Sequence, residues 1–347
     1  MERTWRLPLA LVLLIAGLLP PRAVAYEPIK EKTTGASILC EGYEALNGGV
    51  LNSTSWPMTI NTREWNGAAW QDMPANSAME LEYWRITFAA RQLWQNVPSA
   101  RFRSHLAGWR SLDVEFQDDT FNMMTVSTTG SAALERLRTV QGVPLIREFD
   151  LKIQRVLITN VLNAMTDAAR LAARATAVAT STQEFGHGIG FEHSLVADEI
   201  VRDITGATSD GAYMAYGEFR RPSVLAAANL LAPDDIALIS DLYPRHTNRI
   251  ALTTGTIRGT TLTADGSRDL FGANVLAVRR ADGQAVTGRI SGFQRWKPDL
   301  EQVGPKTGDF TLTGLPAGAY DVYIRPYGTG SRVNPQIQLA NLRGNIL

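Results

Sequence analysis

Residues 183–193 read Gln-Glu-Phe-Gly-His-Gly-Ile-Gly-Phe-Glu-His, and they close a stretch with room for little but helix. Residues 160–188 carry few breakers and abundant Ala, Leu, Met and Arg, which are good helix formers. This composition predicts one long helix that carries the chain into residues 182–193. Side chains four apart on a helix project from the same face, one turn on. Gln183 and His187 can therefore present two donor atoms to a single metal ion. Glu184 stands beside them, a carboxylate placed to take a proton from a water molecule. Gly190 is able to adopt the left-handed backbone that ends a helix and turns the chain sharply, which lets His193 return as a third ligand.

Composition limits the alternatives. The 347 residues include four histidines, His105, His187, His193 and His246, and one cysteine, Cys40. A lone cysteine excludes an intramolecular disulfide and cysteine-built zinc sites, so histidine is the main soft ligand. The 34 Lys+Arg balance 34 Asp+Glu, and this neutral chain has no global field to attract nucleic acid or anionic lipid. A 45% hydrophobic content and a length of about two domains predict packed cores.

The first segment reads as an address. Arg3 and Arg6 precede an apolar run over residues 7–19, and Ala23-Val24-Ala25 supplies small residues for cleavage. Residues 1–25 are thus expected to be a secretory signal peptide, and the run is shorter than the roughly 20 residues needed to span a bilayer. A secreted product, extracellular or periplasmic and with no membrane span in its mature form, follows as the expectation. The rest divides at residues 244–249 into a mixed α/β part, 26–248, and a part of short strands with Gly and Asp turns, 249–347. Within the first part, β-prone residues 56–62 predict a strand. Residues 78–97 place Ile86, Ala90, Leu93, Trp94 and Val97 on one helical face, with Pro98 as the stop. Strands are expected over residues 103–116 and 149–158, and a looser insertion over 118–142.

Set against the zinc-protease pattern H-E-x-x-H-x-x-G-x-x-H, residues 183–193 match every specified position except the first. With this motif the chain resembles the metzincin metallopeptidases, and specifically their matrixin-like branch. His193-Ser194 follows the matrixin habit, and Ala212-Tyr213-Met214-Ala215-Tyr216 is similar to the Met-turn that lies under the zinc. Residues 231–243 look like the closing helix, L-s-x-D-D-I-x-x-I-x-x-L-Y, and residues 88–97 like the first helix, A-F-x-x-W-x-x-V. The resemblance covers roughly residues 56–243. It implies an α+β fold, a twisted mixed sheet with a long active-site helix, and hydrolysis of peptide bonds in a peptide or protein substrate. It implies zinc as cofactor, Glu184 as general base, His187 and His193 as ligands and Met214 as the Met-turn residue. Tyr216 lies at the offset where some metzincins carry a tyrosine that assists the metal or the oxyanion, although matrixins generally lack it. Asp234 and Asp235 read as caps of the closing helix. Cys40 lies in Ile-Leu-Cys-Glu-Gly, which does not match the P-R-C-G of a cysteine switch. No Asp/Gly-rich calcium repeat is present in the sequence, which leaves structural calcium open.

The departure falls at the centre of the chemistry. Gln183 occupies the place of the first zinc histidine, and an amide oxygen is a weaker zinc donor than imidazole nitrogen. Three readings stand. Zinc is held by His187, His193 and either Gln183 or an extra water, with weakened activity. Alternatively, the chain is a catalytically inactive metzincin-like binding protein, a pseudoprotease. In the third reading another group, His105 or His246, completes the site.

In the second part, residues 254–259, 273–278, 308–312 and 320–324 read as strands, and Gly314-Leu315-Pro316-Ala-Gly318 as a turn. This is similar to the carboxypeptidase-regulatory-like or transthyretin-like β-sandwich, with its G-x-F-x-x-x-G-L-P-x-G-x-Y-x-V run. The resemblance implies an all-β, Ig-like module without catalytic residues that contacts substrate or the cell surface, or serves as a stabilising appendage.

Overall fold

In a computed structural model of the chain, Ser77 opens the first helix, α1 (Ala78–Gln95), by accepting the Glu80 amide on its hydroxyl at 3.2 Å. The structure describes residues 30–31, 39–40, 56–114, 116, 122–140, 143–191, 231–243, 254–292, 296–297 and 307–326. The expected leader at 1–25 lies outside them. Ile86, Ala90, Leu93, Trp94 and Val97 are all buried, as their spacing predicts. Each of the larger of these side chains contributes about 1.5–3 kcal/mol on burial. The helix ends before Pro98, with the Asn96 amide bonded back to the Gln92 carbonyl at 3.0 Å.

Helix α1 packs against a seven-stranded mixed sheet. Strands β3 (Trp56–Trp65), β6 (Asn122–Ser127) and β8 (Val143–Gln154) run parallel in its centre, and β5 (Ser104–Arg110) lies parallel beside β3. Strand β4 (Trp70–Asp72) pairs antiparallel with the end of β3. Strand β7 (Ala132–Val140) pairs antiparallel with β8, and β2 (Leu39–Cys40) pairs parallel with it. Joining parallel neighbours needs a crossover, and α1 supplies the one between β3 and β5.

Three expectations need correction here. Residues 118–142 are not a loose insertion, because they contain β6 and β7. All six residues of β6 are buried, so the strand has no polar face and shows no alternation. The strand expected over 103–116 stops at Arg110. The Leu112 and Val114 carbonyls beyond it are instead bonded by the Asn61 side-chain amide, at 2.9 and 3.4 Å. The strand expected over 149–158 begins earlier, at Val143, and gives way at residue 155 to helix α2 (Arg155–Leu162).

The long helix expected over 160–188 is broken once. Asn163 caps α2, and Thr166 starts α3 (Asp167–Gly188) by accepting the Ala169 amide on its hydroxyl at 3.1 Å. Helices α1 and α3 pack on each other and share the main core with the sheet. Across their contact, Arg174 Nε and Nη2 donate to the buried Glu82 carboxylate at 2.5 and 2.9 Å.

The fourth helix among the described residues, α4 (Pro233–Leu242), follows the expected closing-helix segment. Asp235 caps it by accepting the Ala232 amide at 3.3 Å, whereas the buried Asp234 turns to another partner, described below. Beyond it, β9 (Gly255–Thr260) pairs antiparallel with β13 (Asp309–Leu315). Strand β10 (Ala273–Arg279) lies between β11 (Ala285–Ile290) and β14 (Tyr320–Pro326), antiparallel to both. The two small sheets share a core of Val275, Ala277 and Val286 on one side and Phe310, Leu312 and Leu315 on the other. Two short strands, β1 (Lys30–Glu31) and β12 (Trp296–Lys297), pair parallel. The architecture is mixed α+β, and no described helix is long and apolar enough to cross a membrane.

Candidate functional site

Helix α3 delivers Gln183, Glu184 and His187 in its last two turns. Gln183 is 4% exposed, while Glu184 and His187 are half-buried. The helix then ends in a double-bonded turn. Gly190 adopts φ 99°, the Gly190 amide donates to the His187 carbonyl at 3.0 Å, and the Phe191 amide donates to the Gly186 carbonyl at 3.0 Å. This is the Schellman closure that the glycine at 190 predicts, and a side chain at that φ is strained.

The turn also orients the imidazole. His187 Nδ1 lies 2.8 Å from the Phe191 carbonyl oxygen. A carbonyl only accepts, so Nδ1 is the donor and, in the neutral ring, Nε2 carries the lone pair. A histidine whose Nδ1–H is held by a backbone carbonyl is prepared to ligate through Nε2.

Aromatic side chains from three separate elements hold this end of the helix. Trp94 of α1 donates its indole N–H to the Thr182 carbonyl at 2.8 Å, one residue before Gln183. Tyr243, which caps α4, donates its hydroxyl to the Ile189 carbonyl at 2.6 Å inside the turn. Phe191 packs on Trp94 and Tyr243, with ring centroids 5.1 and 6.3 Å apart, and Phe185 packs on Phe102 and Phe149 at 6.0 and 5.4 Å. Phe149 also lies flush against Gly188, where an added Cβ would come within 2.4 Å of its ring. Such packing removes the freedom of the groups that position the ligand face.

The helix therefore brings Gln183, Glu184 and His187 together, and His193, Met214 and Tyr216 lie outside the described residues, as does His246. His105 is exposed on β5, opposite Pro57 in the register. Among the described residues no group of three His, Cys, Asp or Glu side chains converges on one point. A groove of about 480 Å³ between α1 and α4 is lined by Phe88, Leu93, Val97, Leu231 and Ile236, and none of the described candidate residues lines it. The donor set of this end of α3 fits a metal in the state of His187, and Gln183 adds a neutral amide one turn away. Trp94 and Tyr243 are supports of this end of α3 that residue chemistry alone did not reveal. Their only sequence signal is their place in the helix patterns of residues 88–97 and 231–243.

A comparison with protein-family models and with curated proteins finds no match to this chain.

Proposed function

We propose that the chain is a secreted, zinc-dependent endopeptidase of the metzincin, matrixin-like type, with a C-terminal transthyretin-like β-sandwich module. The observation that carries this reading is the His187 Nδ1 bond to the Phe191 carbonyl, which leaves Nε2 as the ligating nitrogen at the helix position the motif requires. The mixed sheet, the 22-residue helix α3 and the glycine closure at 190 support it as well. His187, His193 and Gln183 would hold the metal. When bound, zinc supplies Lewis acidity at the scissile carbonyl. Glu184 takes the proton of the attacking water on its carboxylate and returns it to the leaving amine. In this reading Met214 is the Met-turn residue, and Tyr216 would assist the oxyanion. The substrate is a peptide or protein.

One feature favours a second reading. Gln183 is a buried amide at a ligand position, and a scaffold that has lost one imidazole serves for binding without catalysis. Zinc titration of the purified protein together with a peptide-cleavage assay separates the two. The enzyme reading expects one zinc per chain and a cleavage rate that Glu184→Ala lowers roughly 10²–10⁴-fold. Zinc far below one equivalent, with no cleavage that depends on Glu184, rejects it. Activity that appears only in Gln183→His identifies a lapsed protease whose other parts are intact.

A further inference from the structure

The C-terminal β unit reaches the candidate site through α4. Thr287 of β11 donates its hydroxyl to Asp234 Oδ1 at 2.8 Å, and the two residues are 0% and 1% exposed. Gly314 of β13, at φ 71°, backs onto Ala237 so closely that an added Cβ would lie 2.3 Å from the alanine Cβ. One face of α4 is thus fixed by the β unit. Its C-terminal end carries Tyr243, wholly buried, whose hydroxyl bonds the Ile189 carbonyl at 2.6 Å in the turn that orients His187.

We infer that the β unit is a positioning part of the candidate site, and that Tyr243 is the positioning residue that transmits its hold to the turn after His187. The inference rests on the reading of His187 as a metal ligand. Its route is a contiguous chain of buried contacts: Thr287 and Gly314 to α4, α4 to Tyr243, and Tyr243 to the Ile189 carbonyl. A carbonyl in a tight turn that loses its donor lets the turn open, and the Phe191 carbonyl that orients His187 moves with it. The β unit therefore acts on the site through α4.

The test uses the full-length, metal-free protein. Amide exchange is read at Gly190 and Phe191, which close the turn, and at Ile236, whose amide bonds the Ala232 carbonyl in α4. The side-chain ¹⁵N shifts of His187 report its tautomer. Tyr243→Phe is expected to speed exchange at Gly190 and Phe191 about tenfold and to reduce the Nδ1–H tautomer, with Ile236 unchanged. Thr287→Val and Gly314→Leu are expected to do the same with Ile236 also faster. Should Gly314→Leu fail to fold, Thr287→Val decides. Exchange at Gly190 and Phe191 within twofold of wild type in Tyr243→Phe or in Thr287→Val overturns the inference. Titration with zinc chloride forms a separate arm. If wild type binds no zinc, the ligand reading falls while the exchange and tautomer data still decide the positioning role.

Discussion

Tyr83 sits in the middle of α1 with its hydroxyl fully buried and without a hydrogen-bond partner among the described residues. Burial raises its pKa well above the ordinary tyrosine value, because the phenolate is harder to desolvate than the phenol. Removing that oxygen takes away an uncompensated polar group, so Tyr83→Phe is expected to raise stability by about 1–2 kcal/mol at pH 7 in urea unfolding. The sign with pH follows. A group whose folded pKa is raised contributes stability that is intact below its unfolded pKa, about 10, and is lost as pH climbs toward the folded value. The gain from Tyr83→Phe should therefore grow above pH 10, and a constant difference between pH 7 and pH 11 would contradict this account. Residue identity alone placed Glu184 and His187 on the last turns of one helix and Gly190 in the turn that ends it, since spacing on a helix and the needs of a left-handed turn are local properties. It could not show that Phe149 backs onto Gly188 or that Phe191 turns its carbonyl to His187, because those contacts depend on how distant segments pack.

Among the described residues, helices α1 and α3 are joined by a charged contact as well as by the Trp94 bond to the Thr182 carbonyl and by apolar packing. Glu82 is buried on α1, and Arg174 on α3 reaches it with two guanidinium nitrogens while Arg85 approaches at 3.4 Å. The Glu82 hydrogen bond holds the Arg174 guanidinium above its ordinary pKa. Arg174→Met leaves the Glu82 carboxylate buried with Arg85 as its remaining guanidinium among the described residues, and is expected to cost about 2–4 kcal/mol in chemical denaturation. Glu82→Gln with Arg174→Met together should recover part of that loss, because no buried charge then lacks its partner. A double variant no better than Arg174→Met would show that the seam depends on shape and not on charge. Element by element, legibility followed the exposure of one face. Helix α1 is half in water, and its period could be read from Ile86 to Val97. Strand β6 is buried on both sides, and its run Asn-Met-Met-Thr-Val-Ser carries no period. The break between α2 and α3 was written in Asn163 and Thr166, but capping residues are weak signals inside an Ala-rich stretch.

The α/β part and the β unit meet through a buried polar bond and a side-chain-free glycine contact, which differs from a flexible tether between independent modules. Asp234 occupies the first turn of α4, where a carboxylate is favoured by the helix dipole, and it uses one oxygen for Thr287 of the β unit. Ala237, one turn on in the same helix, belongs to the core of the α/β part and yet touches Gly314. Unfolding the β unit alone would expose Asp234 and Ala237 and strip one face of α4, so the two parts should open together. In native-state exchange, the slowest amides of α3, such as Val178 and Ala179, and those of β10, such as Val275 and Ala277, are expected to report the same opening free energy in the wild-type protein. Thr287→Val removes the donor and leaves Asp234 buried with one bond fewer, a loss of about 1–3 kcal/mol borne by the contact. The β10 amides should then open more easily than the α3 amides, by a margin of that order. Wild-type values that already differ between α3 and β10 by more than about 1 kcal/mol would mean that the contact through Thr287 and Gly314 does not join the two parts into one cooperative unit.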